Sequence, residues 1–341
     1  MGLTVKDIIA LGKTVAKADP SVKTAFSFGG KDYSYEALEG TFREELNSLG
    51  KTYAEYRKNK NTIFQIMEEV LNEVLPQRVI EAYGAFAEIK TFGQGDKPIF
   101  RIKVSATSRR RAKKFITKVG LAGIYEVFKL DGKTIEVPTT AYGGAAQIAI
   151  EEFLDGTVSL ADLFDIVMEG MDDAVYTEIA KALKAAINSL PQNNYVDTNA
   201  FDETQMDSLL TIADSYGSNS SIYCTFEFAS TIVPDSGWRS DAHKDERWAK
   251  GYIADYKGHK VIVLPQSFED ETNSTKVFDP SYAYIIPSGA SKPVKVAFEG
   301  QAVVDEVKND DWSKEIKVYQ KFGVASIMEN NICVYHNQNI H

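Results

Sequence analysis

The sequence predicts an α+β chain, on three observations. Apolar residues recur at helical spacing in two long segments, Ile63 to Val74 and Leu160 to Leu190. Strict apolar–polar alternation marks extended segments, most cleanly in "PIFRIKVS" from Pro98 to Ser105. From Lys292 onward the chain reads as strand almost throughout. With 341 residues, 44% of them hydrophobic and 25% charged, it can bury a real core as one large domain or two ordinary ones.

Residues 1–34 are a mixed lead-in. Their opening, "MGLTVKDIIALGKTVAKADPS", is a short amphipathic segment in which Lys6, Asp7 and Lys13 interrupt the apolar run a signal peptide would need, so a cytoplasmic protein is expected. Tyr35 to Leu49 reads as helix, closed by Gly50 in the left-handed conformation. In the next helix Ile63, Ile66, Met67, Val70, Leu71 and Val74 share a face, and Pro76 is expected to stop it. Phe100, Ile102 and Val104 then alternate with Arg101, Lys103 and Ser105 as a half-buried strand. "GIYEVFKLDGKTIEV" predicts a hairpin turning at Asp131–Gly132. Residues 97–137 are thus a strand-rich excursion. A ribbon of two strands is marginal in water, so it must fold back on its own domain or lie on a neighbour.

The long helix opens with Ser159 and Asp162 in a capping-box pattern. Its apolar stripe is Leu160, Leu163, Phe164, Val167, Met171, Ala174, Val175, Ala182, Leu183, Ala186 and Leu190. Acids fill its first half, Lys181 and Lys184 its second, and Pro191 ends it after roughly 46 Å. Beyond it, "QMDSLLTIADSY" reads as helix, and "SSIYCTFEF", "GHKVIVLP" and "YAYIIPSG" as strands. "KPVKVAFEGQAVVDEV", "EIKVYQKFGVASIM" and "ICVYH" complete the tail. No internal repeat or low-complexity linker separates these parts.

Catalytic motifs fail one by one. Three Gly-Lys-Thr tripeptides occur, at Gly12, Gly50 and Gly132, but a phosphate loop needs another glycine five residues earlier, where Asp7, Glu45 and Val127 stand. His243, His259, His336 and His341 lack metal-ligand spacing. Cys224 and Cys333 lie in apolar runs and read as buried thiols. No catalytic, cofactor-binding or metal-binding residue is expected, and the chain is not expected to be an enzyme. No run approaches the roughly 18 apolar residues of a membrane span, so no membrane partner is expected.

One stretch stands out. In "SATSRRRAKKFITK", Arg109, Arg110, Arg111, Lys113, Lys114 and Lys118 crowd together without an acid. Nine Lys and Arg fall between Lys97 and Lys118, leaving 29 basic against 48 acidic residues elsewhere. A solvated loop would account for the run. Nucleic-acid binding would too, but only Phe115 interleaves the charges for base stacking. Contact with an acidic surface on another copy explains both the local charge and the opposite balance elsewhere, and is favoured.

The order of these elements resembles the major capsid proteins of tailed phages, with the Hong Kong 97-type fold. "YEVFKLDGKTIEVPTTAYGGAAQIAIEEFLDGTVSLADLFDIVMEGMDDAVYTEIAKALKAA" looks like that family's passage from extended loop to spine helix. "GYIADYKGHKVIVLP" looks like an axial-domain strand, and "DDWSKEIKVYQKFGVASIMENNICVYH" like the last peripheral strands, with Gly323 before the final pair. The resemblance implies an N-terminal arm at 1–34, a helical segment at 35–87 and an extended loop region at 88–147. The spine helix and peripheral domain follow at 148–194, the axial domain at 195–289, and peripheral strands with the C-terminus at 290–341. It further implies pentamers and hexamers in an icosahedral virion shell enclosing double-stranded DNA without reading its sequence. A separate scaffolding protein and a portal are implied partners, since the body begins too early to leave room for a leading scaffolding domain. An encapsulin-like compartment is the alternative within the fold, and a nucleic-acid-binding protein using residues 105–118 the alternative outside it. Glu329, Asn330 and Asn331 match no cross-linking motif of that family and read as turn formers.

Overall fold

The computed structural model describes residues 3–17, 26–28, 31–102, 132–148, 160–216, 219–233, 241–289, 291–308 and 314–340. Its first layer is helical. Helix α1 (Val5–Lys17) buries Ile8, Ile9 and Leu11 against α2 (Tyr35–Ser48) and α3 (Tyr53–Tyr83). A Cβ on Gly12 would stand 2.7 Å from the Phe42 ring, so the close approach of α1 to α2 depends on that glycine. This helix of the lead-in therefore belongs to the core of its own subunit. A small hairpin, β1 (Phe26–Phe28) and β2 (Lys31–Tyr33), leads into α2, where the Ser34 side chain accepts the Ala37 amide.

Two expectations about helix ends need correction. Gly50 is not left-handed: Leu49 caps α2 in the right-handed region, and the chain turns directly into the Thr52–Glu55 capping box of α3. Nor does Pro76 stop α3, which runs on to Tyr83. Proline removes one helical hydrogen bond. Here Val74, Leu75, Val79 and Tyr83, buried on both sides of it, hold the helix together.

The long helix α4 (Leu160–Ala186) tapers into a single 3-10 turn, Ile187–Ser189, before Pro191. Its α-helical part is therefore about 40 Å long, short of the expected 46 Å. The buried face is Met168, Met171, Val175, Tyr176, Ile179, Ala180 and Leu183. Four of these were missing from the expected stripe, which leaned towards the partly exposed Val167, Ala174 and Ala182. Arg43 reaches Asp165 at 2.6 Å and Arg78 reaches Asp172 at 3.0 Å, tying α4 to α2 and α3. Ser159, the expected cap, lies outside the described residues.

Two sheets complete the body. In the first the order is β3 (Ala87–Phe92), β12 (Val294–Lys308), β13 (Lys314–Ser326), β6 (Thr140–Ile148). Alternation decides its faces. Val294, Val296 and Phe298 join the helical core, while Lys295, Ala297 and Glu299 are buried on the opposite face. Gly323 of β13 now has a physical reason: a Cβ there would sit 2.1 Å from the Pro138 carbonyl, where the chain crosses into β6.

The second sheet has the order β7 (Tyr195–Thr198), β14 (Cys333–Asn337), β11 (Tyr282–Pro287), β8 (Ser220–Cys224), β10 (His259–Val263), β9 (Asp255–Tyr256). Helix α5 (Glu203–Asp214) covers it with Met206, Leu209, Leu210 and Ala213. "SSIYCTFEF" is not one strand: after Cys224 the chain turns into α6 (Phe226–Thr231), followed by α7 (Asp241–Lys250). The tail divides between the two sheets. β12 and β13 build the first sheet, whereas β14 inserts between β7 and β11 of the second. That insertion makes the two parts of the chain one interwoven body.

Candidate functional site: the root of the excursion

The excursion leaves the body as β4 (Ile99–Ile102) and returns as β5 (Lys133–Glu136), paired antiparallel with Phe100 opposite Ile135. Arg109, Arg110, Arg111, Lys113, Lys114 and Lys118 lie outside the described residues, as does Asp131 of the expected hairpin turn. What the structure describes is the root of the excursion. Phe100 and Ile102 are buried and Arg101 is exposed, following the alternation of the sequence.

Phe100 seats the ribbon on the far face of the first sheet, against Val137, Ala297, Phe92 and Ala325. The ribbon thus folds back at its base on its own domain. Below it lies a charge cluster. Lys295, with only 1% of its side chain exposed, gives hydrogen bonds to Glu88 at 2.5 Å and to Ser291 at 3.0 Å. Lys90 reaches the other Glu88 oxygen at 2.6 Å, and both ammonium groups approach the Phe100 ring, at 5.0 Å for Lys90 and 6.0 Å for Lys295. Burial raises the Glu88 carboxyl, but the hydrogen bonds from Lys295 and Lys90 outweigh it and hold its pKa below the usual value.

A second carboxylate fixes both ends of the excursion. Glu299 accepts the Gly95 amide at 3.1 Å on the way into β4 and the Thr139 hydroxyl on the way out of β5. These two bonds, Thr139 first, hold its pKa low. Gly95 presents that amide from φ +82°, a conformation that suits glycine. The Val137 amide adds a bond to the Pro98 carbonyl at 2.9 Å, so entry and exit are tied to each other as well. None of Glu88, Lys295 and Glu299 was singled out from the sequence. The available signal was two charges, Lys295 and Glu299, bracketing an apolar run in a strand buried on both faces.

Beside the root, β6 forms the edge of the sheet. Thr140, Ala141, Gly143, Gly144 and Ala145 are exposed, and Thr140–Ile148 contains neither proline nor charge. Monomeric proteins blunt such edges, because the free peptide groups can pair with another chain. Among the described residues no further strand pairs with this edge.

Chemistry was sought elsewhere too. Ser220, His259 and Asp214 approach one another, but the buried Ser220 hydroxyl donates to Asp214 at 2.8 Å. His259 Nδ1 lies 3.1 Å from that hydroxyl and 3.1 Å from the Ser220 carbonyl. The group pins the end of α5 to β8 and β10 and presents no nucleophile. Both cysteines are buried free thiols, and burial pushes Cys333 up to about 12 and Cys224 up as well, which leaves them inert. Among the described residues no cluster of His, Cys, Asp or Glu could hold a metal ion, and no helix is long and apolar enough to cross a membrane. Asn330 and Asn331 lie in the turn before β14, as expected of turn formers.

The family model for the SPbeta prophage-derived putative capsid protein YonB matches residues 11–336. Among solved structures the chain is similar to the capsid of a native GTA particle, at 11% identity and a TM-score of 0.51, covering 75% of this chain and 89% of that one. It is also similar to a phage-related protein from Bordetella bronchiseptica RB50, at 14% identity and a TM-score of 0.50, covering 81% of this chain and 97% of that one. No curated protein sequence matches it. At these identities the structural likeness speaks to the fold, which is of the Hong Kong 97 type.

Proposed function

Because the chain belongs to the YonB family of prophage-derived capsid proteins, we propose that it is a major capsid protein whose copies form an icosahedral shell enclosing double-stranded DNA. The family match over residues 11–336 carries this reading. The β6 edge, which pairs with no further strand among the described residues, supports it, since pairing there takes another chain. The chain is a structural component of the virion, assembled in the host cytoplasm as pentamers and hexamers, and performs no catalysis.

In this reading residues 88–147 are the extended loop region, and Arg109, Arg110, Arg111, Lys113, Lys114 and Lys118 lie on the acidic surface of an adjacent copy. Residues 148–194 hold the spine helix, 195–289 form the axial domain, and 290–341 supply strands to both sheets. Residues 35–87 act as a helical brace behind the first sheet. A separate scaffolding protein and a portal complete the set of partners. Shell contacts must be weak singly and strong together, which a salt-screened basic loop allows.

The test is negative-stain electron microscopy of the purified chain, alone and co-expressed with the scaffolding protein of its own prophage. Uniform shells or capsomer rings are expected. A monodisperse small oligomer under both conditions would overturn the capsid reading.

A further inference from the structure

Helix α7 is an anomaly within the axial part of the fold. It has ten residues and none of them is buried. A helix this short is unstable in water unless a face of it packs on something. Its last turn is held: Arg247 donates to the Ser230 carbonyl of α6 at 3.2 Å, and Gly251 lies against the Phe226 ring. Gly251 adopts φ +83°, and a Cβ there would stand 2.6 Å from that ring. Trp248 follows Arg247 directly, so a fixed anchor presents it. Yet Trp248 is 94% exposed, the most exposed large hydrophobic side chain among the described residues, while Phe226 nearby is 49% exposed. An aromatic residue of this size carries roughly 150–250 Å² of surface that gains by burial.

We infer that Trp248 is an anchor of the contact between axial domains, covered in the shell by a second copy of this chain. The charges of α7 favour that occupant over nucleic acid. Asp241, Asp245 and Glu246 balance Lys244, Arg247 and Lys250, and two of these pairs close within the helix, Lys244–Asp241 at 2.9 Å and Lys250–Glu246 at 3.0 Å. A neutral helix with satisfied charges offers no field for a polyanion. It does offer what protein contacts use: a tryptophan beside an arginine, rimmed by polar groups that exclude water. The inference rests on the shell-forming function, in which every axial domain has a copy of itself as neighbour.

The experiment compares the wild-type chain with W248A, W248K and W248F, each checked for an unchanged circular dichroism spectrum and melting temperature. Assembly is followed by sedimentation as a function of protein concentration. W248A is expected to raise the concentration needed for shells by about 30-fold, W248K to abolish them, and W248F to retain them. In parallel, the fluorescence difference between wild type and W248F, quenched with acrylamide, isolates Trp248. It should be freely quenched before assembly and protected within shells. Wild-type shells together with W248A and W248K shells formed at the same concentration would overturn this contact alone. So would Trp248 still quenched within shells, or protected only when scaffolding protein is retained. A wild-type chain that forms no shells would overturn the capsid reading, and this inference with it.

Discussion

Glu88 holds two lysines at once, and the buried Lys295 depends on it most. Replacing Glu88 with Gln removes the negative charge and leaves a desolvated ammonium, a change that costs about 3–5 kcal/mol for fully buried pairs. About a third of the Glu88 side chain is exposed, so solvent screening lowers the expected loss for E88Q to about 1–3 kcal/mol, measured by urea unfolding. Adding K295M should recover most of it, because two apolar or neutral groups no longer need each other. A single-mutant loss under about 0.5 kcal/mol would show that the pair contributes nothing to the root. The pH dependence has a definite sign. The folded pKa of Glu88 lies below the ordinary value of a glutamate, so its contribution is complete above that value and disappears as pH falls through the folded pKa. Wild type should therefore lose stability on acidification more steeply than E88Q. Phe100 and Ile102 could be read from local alternation, but Glu88 and Lys295 stand 207 residues apart and meet only through the pairing of β3 with β12.

Strands β13 and β6 meet at a crossing that only glycine permits. A methyl group on Gly323 would enter the Pro138 carbonyl at 2.1 Å, and backbone cannot move aside as a flexible side chain can. G323A should cost about 1–3 kcal/mol, the range for overpacking, read as a lower midpoint in urea. It should also disturb the root, since Pro138 adjoins Thr139, which donates to Glu299. An unchanged midpoint would mean that the crossing relaxes freely. At this scale the sequence was legible where a signal is local. The alternating strands and the spacing in α3 lie within a few residues of what they specify. It misled where packing overrode propensity. Pro76 sits inside α3 because buried neighbours on either side outweigh one lost hydrogen bond, and "FEF" is helical despite its strand-forming residues because α6 packs Phe228 and Ala229 into the second core. The insertion of β14 was beyond reach, since no local signal reports which strands a C-terminal segment will separate.

Across the whole molecule, charge is divided between one basic stretch and an acidic remainder, and the fold gives the division a geometry. The root fixes where the excursion departs: Phe100 seats it, Glu88 and Glu299 hold it, and entry is bonded to exit. A fixed departure suits a tip that must meet a neighbour repeatedly in the same way. Replacing Arg109, Arg110 and Arg111 together with Ser should leave the circular dichroism spectrum and unfolding midpoint within error, since charges of a subunit contact stabilise the shell rather than the single chain. Assembly should suffer instead. Three charge pairs exposed at an interface are worth about 0.2–1 kcal/mol each, so the concentration required for shells should rise by about 3- to 150-fold per contact set. Salt provides the decisive control. Wild-type assembly should weaken between low and high ionic strength, whereas the triple variant should be nearly indifferent, because the charges that salt screens are gone. Equal assembly and equal salt dependence in the two chains would mean that the basic stretch is merely solvated. Salt-dependent retention of DNA by wild type but not by the variant, with assembly unchanged, would instead assign these arginines to the enclosed nucleic acid.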